Sequence, residues 1–188
     1  MAHLAQKIFF KEVKDKYPER FKGCSVLDIG SLDINGNNHY LFEDYTYIGV
    51  DVGDGRNVDV VSKGHEYKSE KLFDIVISSE CFEHDMYYPE TILNCISLTK
   101  PGGLFTFTCA SEGRPEHGTN RTKPQDAPLL KLYEDWGNYY KNLTENDVRE
   151  IFNPDDYFSE YEFKYNPKDF DLYFWGIKKT NVWELVSK

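Results

Sequence analysis

The stretch SVLDIGSLDING, residues 25–36, decides the fold of this chain. A short apolar run leads to an acidic residue, Asp28, and then to a loop that has a glycine at each end. This pattern is typical of a buried parallel strand that ends at a ligand crevice, because glycine lets the backbone approach the ligand closely. The sequence therefore predicts a binding loop at residues 30–36.

A second strand pattern follows at a fitting distance. Residues 47–51, YIGVD, form another apolar run that ends in a carboxylate, Asp51. An acidic residue about 20 positions further on, at the end of the second strand, is where the ribose hydroxyls of a nucleoside ligand are held. The two carboxylates together predict a nucleoside-binding crevice at the carboxyl edge of a parallel sheet.

Length, charge and cysteine content limit the class of protein. A chain of 188 residues suits one domain, residues 1–188, with a substantial core. The net charge of −10 disfavours a nucleic-acid partner, because phosphate backbones are bound mainly by Lys and Arg. Cys24, Cys81, Cys95 and Cys109 lack metal-ligand spacing and are interpreted as reduced thiols. Without a signal-like N-terminus or a membrane-spanning apolar run, we expect a cytoplasmic protein.

Helical and strand patterns alternate along most of the chain. Helices are predicted at residues 2–20, 89–98 and 144–152, and Thr144 is the predicted N-cap of the last one. Strands are predicted at residues 25–29, 47–51, 58–61, 72–78, 104–109, 161–165 and 172–178. This alternation implies right-handed βαβ units and a parallel sheet, with a turn at residues 101–103. Residues 111–142 are polar and aperiodic, which predicts a lid or binding loop.

The order of these motifs resembles the class I S-adenosylmethionine-dependent methyltransferase family. The resemblance covers residues 20–110 and depends on the loop at 28–36, on Asp51, on FDIV at 73–76, on Glu83-His84 and on KPGG at 100–103. It implies a doubly wound α/β sheet of seven strands in the order 3-2-1-4-5-7-6, with helices on both faces and the last strand antiparallel. It also implies S-adenosylmethionine as cofactor and a methyl transfer to a small-molecule acceptor.

The resemblance further implies which residues contact the cofactor. It places residues 28–31 around the amino acid moiety, Asp51 on the ribose hydroxyls, residues 59–60 near the adenine and residues 79–80 beside the methionine. The candidate cofactor-binding residues are Asp28, Gly30, Ser31, Asp33, Asn35, Gly36, Asp51, Val52, Asp59, Val60, Ser79 and Glu80.

The binding loop departs from the usual family pattern of an acidic residue followed by x-Gly-x-Gly-x-Gly. The second and third glycines are missing, and the loop resembles a variant in which Asn35 and Gly36 make the later turn. Whether Asp33 or Asn35 touches the cofactor stays open. An NAD-dependent oxidoreductase on a similar sheet is an alternative, but it needs Gly-x-Gly-x-x-Gly, and Asp33 would repel a pyrophosphate.

Methyl transfer to an oxygen usually needs a base, because a hydroxyl is a weak nucleophile at neutral pH. The candidates are His84, Asp85 and His117, which follow the predicted fourth and fifth strands. Each histidine has an alternative role: His84 as a helix cap and His117 as an ordinary loop residue. Histidine titrates near neutral pH and is therefore a suitable base.

The acceptor is the least determined part of the hypothesis. Residues after 110 resemble those of small methyltransferases encoded near surface-polysaccharide genes, which implies a sugar or another small metabolite as acceptor. A non-catalytic relative that binds the cofactor or a partner protein stays open as an alternative. A metal-assisted mechanism is a minor alternative whose ligands would be carboxylates or amides near Glu80 or Ser111, but no distinctive pair is evident there, so no metal is expected.

Overall fold

A seven-stranded mixed sheet forms the centre of the protein in the computed structural model, which describes residues 4–180. The strands are β1 (Ser25–Ile29), β2 (Thr46–Asp51), β3 (Val60–Val61), β4 (Phe73–Ser79), β5 (Thr99–Ala110), β6 (Phe158–Asn166) and β7 (Asp171–Lys178). Their order in the sheet is β3-β2-β1-β4-β5-β7-β6. The first five strands pair in parallel, and β7 runs antiparallel to both β5 and β6. The implied fold and strand order are therefore confirmed.

Helices cover both faces of this sheet. They are α1 (Leu4–Lys16), α2 (Tyr88–Leu98), α3 (Glu145–Ile151) and α4 (Pro154–Tyr157). Helix α1 contributes Phe9 and Phe10 to one hydrophobic core, and α2 contributes Ile92 and Ile96 to a second core. Successive strand residues enter opposite cores because their side chains alternate across the sheet. Burial on both faces explains why the central strands are nearly continuous apolar runs.

The predicted start of the third helix is confirmed at Thr144. Its hydroxyl accepts a hydrogen bond from the backbone N–H of Asp147, and the Asp147 carboxylate accepts one from the backbone N–H of Thr144. This capping box satisfies two of the amide groups that a helix N-terminus otherwise leaves unpaired.

Three element boundaries differ from the sequence prediction. Strand β3 has only two residues, because the Asp59 carboxylate accepts the Gly49 N–H that a longer ladder would have used. Residues 101–103 form a bulge inside β5 rather than a turn before it, since Phe73 pairs with Thr99 and Ile75 pairs with Leu104. The first predicted helix ends at Lys16 and is followed by a 3-10 turn, and residues 2 and 3 lie outside the described range.

Residues 111–142 run over the carboxyl edge of the sheet with little regular structure. They contain three 3-10 turns at Pro124–Asp126, Leu130–Leu132 and Trp136–Asn138. The Tyr133 hydroxyl donates a hydrogen bond to the backbone oxygen of Val52, just beyond β2, at 3.0 Å. We call residues 111–142 the covering segment. Within residues 4–180, no helix combines the length and apolar character that a membrane span requires.

Candidate functional site

A cavity opens at the carboxyl ends of β1, β2 and β4, where the strand order reverses. It holds about 970 Å³ of space free of protein atoms, part of which is open to solvent. Open α/β sheets bind their ligands at this switch point. The candidate residues that line it are Asp28, Gly30, Ser31, Asn35, Gly36, Asp51, Val52, Ser79, Glu80 and His84. We call it the first cavity.

Asp51 lies at the end of β2 with both carboxylate oxygens bonded to backbone amides. Oδ2 accepts from the N–H of Leu32 at 2.9 Å, and Oδ1 accepts from the N–H of Val52 at 2.7 Å. Burial raises the pKa of the Asp51 carboxyl, and the two amides oppose that shift. Each oxygen keeps a second lone pair, so the carboxylate can still accept hydrogen bonds from a ligand diol.

Asp28 lies at the end of β1 and is 2% exposed. Its Oδ2 accepts hydrogen bonds from the Tyr47 hydroxyl and, at 3.3 Å, from the Asn38 amide. Its buried Oδ1 has no hydrogen-bond partner among residues 4–180. Burial raises the pKa of this carboxyl to about 7, against the two hydrogen bonds. An unpaired buried acceptor is costly, so Oδ1 is the natural partner of a donor on a bound ligand.

Asn38 is a cavity residue that the sequence analysis missed. Its amide donates to Asp28 and also to the Ser79 hydroxyl at 3.0 Å, and so connects the ends of β1 and β4. No motif marks this position in the sequence.

The ends of β1 and β4 approach each other closely. Gly30 has φ +80°, and a Cβ placed there would lie 2.5 Å from Cβ and Sγ of Cys81. Glu80, the residue after β4, also has a left-handed backbone with φ +52°. Such a conformation is strained for a residue other than glycine and is often found at functional sites. Glycine is therefore required at position 30, both for its backbone angle and for space.

Three cofactor candidates do not line the first cavity. The Asp33 carboxylate accepts from the N–H of Gly36 at 2.7 Å and so stabilises the loop itself. Asp59 is exposed and its carboxylate accepts the N–H of Gly49 in β2, and Val60 pairs with Val50 at the edge of the sheet. Because β3 begins at Val60 and ends at Val61, the cavity wall after it is formed by residues 62 and 64 instead.

The covering segment supplies a wall that the sequence did not specify. Residues 126–130 and Trp136 line the first cavity. Leu129 and Leu132 pack so closely over Gly53 that a Cβ there would lie within 2.9 Å of both side chains. Apolar side chains at this place suit the flat base of a nucleoside ligand.

The two candidate histidines lie beside each other at the edge of the first cavity. The ring centroids of His84 and His117 are 5.0 Å apart, and the Tyr140 ring lies edge-on to both. Burial lowers the pKa of His84 to about 3 and also lowers the pKa of His117. Both rings are therefore neutral near pH 7 and can bind a metal ion, while the low pKa makes His84 a poor proton acceptor.

Asp85, the third candidate base, also lines the first cavity. Its carboxylate accepts hydrogen bonds from the Thr91 hydroxyl at 2.5 Å and from the Tyr87 N–H at 2.8 Å. Burial raises the pKa of this carboxyl. These bonds fix Asp85 at the start of α2, where it holds the helix terminus in place.

A second cavity, of about 960 Å³ including open solvent, adjoins the first. Asp126 lines both cavities, so they share a boundary. The remaining lining residues of the second cavity are Arg114, Pro115, Glu116, His117, Thr122 and Lys123. His117, which does not line the first cavity, therefore faces the second one. The lining includes charged side chains of both signs.

Comparisons with known proteins give structural matches only. No protein-family model and no curated protein sequence matches the chain. The 1,6-didemethyltoxoflavin-N1-methyltransferase of Burkholderia thailandensis, solved with S-adenosylhomocysteine, is 14% identical with a TM-score of 0.57, over 95% of this chain and 92% of that one. The N-methyltransferase NodS of Bradyrhizobium japonicum, also solved with S-adenosylhomocysteine, is 15% identical with a TM-score of 0.57, over 92% and 87%.

A third similar structure is larger. Phosphoethanolamine N-methyltransferase 2 of Haemonchus contortus, solved with S-adenosyl-L-methionine, is 17% identical with a TM-score of 0.56, over 89% of this chain and 52% of that one. At such low identity these likenesses establish the fold. The chain has the fold of the class I S-adenosylmethionine-dependent methyltransferases.

Proposed function

We propose that this protein transfers a methyl group from S-adenosylmethionine to a small-molecule acceptor. The observation that carries the proposal is the position of two carboxylates, the buried Asp28 and the half-buried Asp51, at one cavity on the switch point of the sheet. The cofactor has a ribose diol, an ammonium group and an adenine, and this lining offers an acceptor or an apolar wall for each. Structures of the same fold that bind S-adenosylhomocysteine support the choice of cofactor.

Each part of the cofactor has a candidate partner. Asp51 would accept the two ribose hydroxyls in charge-assisted hydrogen bonds. The unpaired Oδ1 of Asp28, together with Ser79, would hold the amino acid moiety. Leu129 and Leu130 would cover the adenine. Gly30 leaves room for the backbone to approach the ligand.

The second cavity is our candidate for the acceptor site. Its mixture of Arg114, Lys123, Glu116 and Asp126 suits a polar, hydroxylated molecule, so we propose a sugar or a similar metabolite with oxygen as the acceptor atom. Methyl transfer is an in-line displacement, and the protein has to hold the acceptor oxygen, the methyl carbon and the sulfur in line. His84 and His117, at the boundary of the two cavities, are the side chains placed to act on the acceptor hydroxyl.

Calorimetric titration with S-adenosylhomocysteine tests the cofactor site. Asp51→Ala removes the proposed ribose acceptor, and we expect affinity to fall about tenfold or more, for a loss of about 1.5–3 kcal/mol. Asp51→Asn keeps the size of the side chain but only one accepting oxygen, so it keeps at most one of the two backbone hydrogen bonds and loses the charge that would strengthen the ribose contacts. Asp54→Ala removes an exposed carboxylate three residues away and is the matched control. Equal affinity in wild type and Asp51→Ala would remove Asp51 from the site.

Thermal unfolding separates the alternatives. A ligand that binds only the folded state raises the melting temperature, and the rise grows with the ratio of its concentration to its dissociation constant. We expect S-adenosylhomocysteine to raise it and NAD to leave it unchanged; the reverse result would favour an oxidoreductase. Binding without transfer of labelled methyl groups to any sugar or metabolite would favour a non-catalytic relative.

A cytoplasmic location, supported by four free cysteines, is part of this proposal.

A further inference from the structure

A cluster of Glu83, His84 and His117 lies at the boundary between the two cavities. Each residue offers one ligand-type atom, and these atoms all lie within 4.8 Å of one another. Glu83 and His84 lie on the 3-10 turn that follows β4, and both are buried, with exposed fractions of 0% and 7%. His117 comes from the covering segment, so the cluster joins the sheet to that segment.

Glu83 has no hydrogen-bond donor for its buried carboxylate. Neither of its oxygens, nor Nδ1 of His84, has a hydrogen-bond partner among residues 4–180. Burial raises the pKa of the Glu83 carboxyl, and the nearby backbone amides of Glu83 and Ala110 oppose that shift without meeting the geometry of a hydrogen bond. Burial of a carboxylate without a partner is expensive, so these atoms are free to bind a cation.

His117 has the orientation of a metal ligand. Its Nδ1 lies 3.2 Å from the backbone oxygen of Pro115, to which it donates, and this fixes the proton on Nδ1. The lone pair is then on Nε2, which lies 4.0 Å from Oε1 of Glu83. Metal-bound histidines characteristically donate their other N–H to a backbone carbonyl or carboxylate in this way.

Gly118 allows this approach. It has φ +71°, and a Cβ at this position would lie 2.6 Å from Cε1 of His84 and 2.8 Å from Cβ of Ala127. Any other residue would push the covering segment away from His84. The sequence Pro115-Glu116-His117-Gly118 therefore builds the contact between the two histidines into the fold.

We propose that Glu83, His84 and His117 bind a divalent transition-metal ion of the Zn²⁺ type. Two imidazoles and one carboxylate form a known set of three protein ligands for a site that keeps one position open. Ligand atoms around a tetrahedral zinc ion lie about 3.3 Å apart. Small side-chain rotations would bring the ligand atoms of Glu83, His84 and His117 to this distance from one another. This proposal replaces the sequence-based expectation of no metal, which considered only pairs of ligands near Glu80 and Ser111.

The open position would face the proposed acceptor site, and this role depends on the proposed function. A divalent ion lowers the pKa of a bound hydroxyl, so the acceptor would release its proton to water without a histidine base. The acceptor oxygen then forms the bond to the methyl carbon as the carbon–sulfur bond breaks, and the sulfur keeps the electron pair as a thioether. His84 and His117 would act as ligands rather than as bases.

Titration with Co²⁺ tests the site through its visible absorption, which reports the coordination of the ion and does not depend on activity. With chelator-treated full-length protein we expect about one equivalent of Co²⁺ to bind, in competition with Zn²⁺. His117→Gln and Glu83→Gln should each weaken binding at least about tenfold. His65→Gln, at a histidine outside the cluster, is the matched control and should bind as wild type does.

Two results would overturn the metal site. One is a wild-type protein that gives no Co²⁺ spectrum, and the other is unchanged binding in both ligand variants. If Glu83→Gln does not fold, His117→Gln decides alone, because its side chain lies in an irregular segment and is 17% exposed. Titration of the same samples with S-adenosylhomocysteine keeps the proposals apart: cofactor binding without Co²⁺ binding refutes only the metal site.

Discussion

Gly30 is the residue at which the binding loop tolerates least change. Gly30→Ala must adopt a positive φ, at about 1–2 kcal/mol, and must also displace Cys81, at about 1–3 kcal/mol. Gly23 has φ +63°, and a Cβ added there would meet nothing within 4 Å, so Gly23→Ala reports the backbone cost alone. We expect urea denaturation to show a clearly larger loss for Gly30→Ala. Equal losses would mean that Cys81 moves aside freely.

Acidic residues show what the sequence could and could not predict about the site. Asp28 and Asp51 were placed at the cavity by their positions at strand ends, because the parallel register brings those ends to one edge. Asp33 and Asp59 have the same chemistry but do not line the cavity, and their carboxylates accept the backbone N–H groups of Gly36 and Gly49. A sequence does not show which carboxylates face the cavity, and so it overestimates the number available to a ligand.

The covering segment is the element whose role is easiest to test separately from the sheet. Tyr133→Phe removes its hydrogen bond to the Val52 oxygen, worth about 0.5–1.5 kcal/mol. If the segment covers the bound cofactor, we expect S-adenosylhomocysteine to dissociate about two to ten times faster, because the bond holds the segment over the cavity. Stopped-flow displacement of the ligand measures this rate.

Tyr139→Phe is the control for the Tyr133→Phe experiment. It removes a hydroxyl from the covering segment that has no side-chain hydrogen bond among residues 4–180. Its dissociation rate should match that of wild type. Equal rates in Tyr133→Phe and wild type would show that the segment does not hold the cofactor.

The positions of the strands were predicted more reliably than the bulge in β5, the length of β3 or the path of the covering segment. The strand patterns located all seven strands, since apolar runs and turn residues follow from burial and backbone geometry. The bulge at residues 101–103 and the short β3 depend on individual hydrogen bonds. The path of residues 111–142 depends on packing against a surface that exists only in the folded protein. The Glu83–His84–His117 cluster was missed for this reason, because His117 reaches it through the covering segment.

The whole molecule, with a net charge of −10, carries a buried carboxyl whose ionisation opposes folding. The pKa of Asp28 is about 7 in the folded protein, compared with 3.8 for an aspartate in water. Below about pH 4 the group is protonated in both states and has no effect on stability. Between about pH 4 and pH 7 the unfolded chain loses a proton that the folded protein keeps, so the free energy of unfolding falls as pH rises.

Asp28→Asn removes this part of the pH dependence. We measure the difference in the free energy of unfolding, variant minus wild type. This difference should increase by a few kcal/mol at most between about pH 4 and about pH 7, and should stay constant at higher pH. Urea denaturation across this range at low salt and at about 0.5 M salt measures it, because salt screens repulsion between exposed charges much more than it affects a buried group. A difference that does not change with pH would mean that Asp28 is ionised throughout and has a partner for Oδ1 in the free protein.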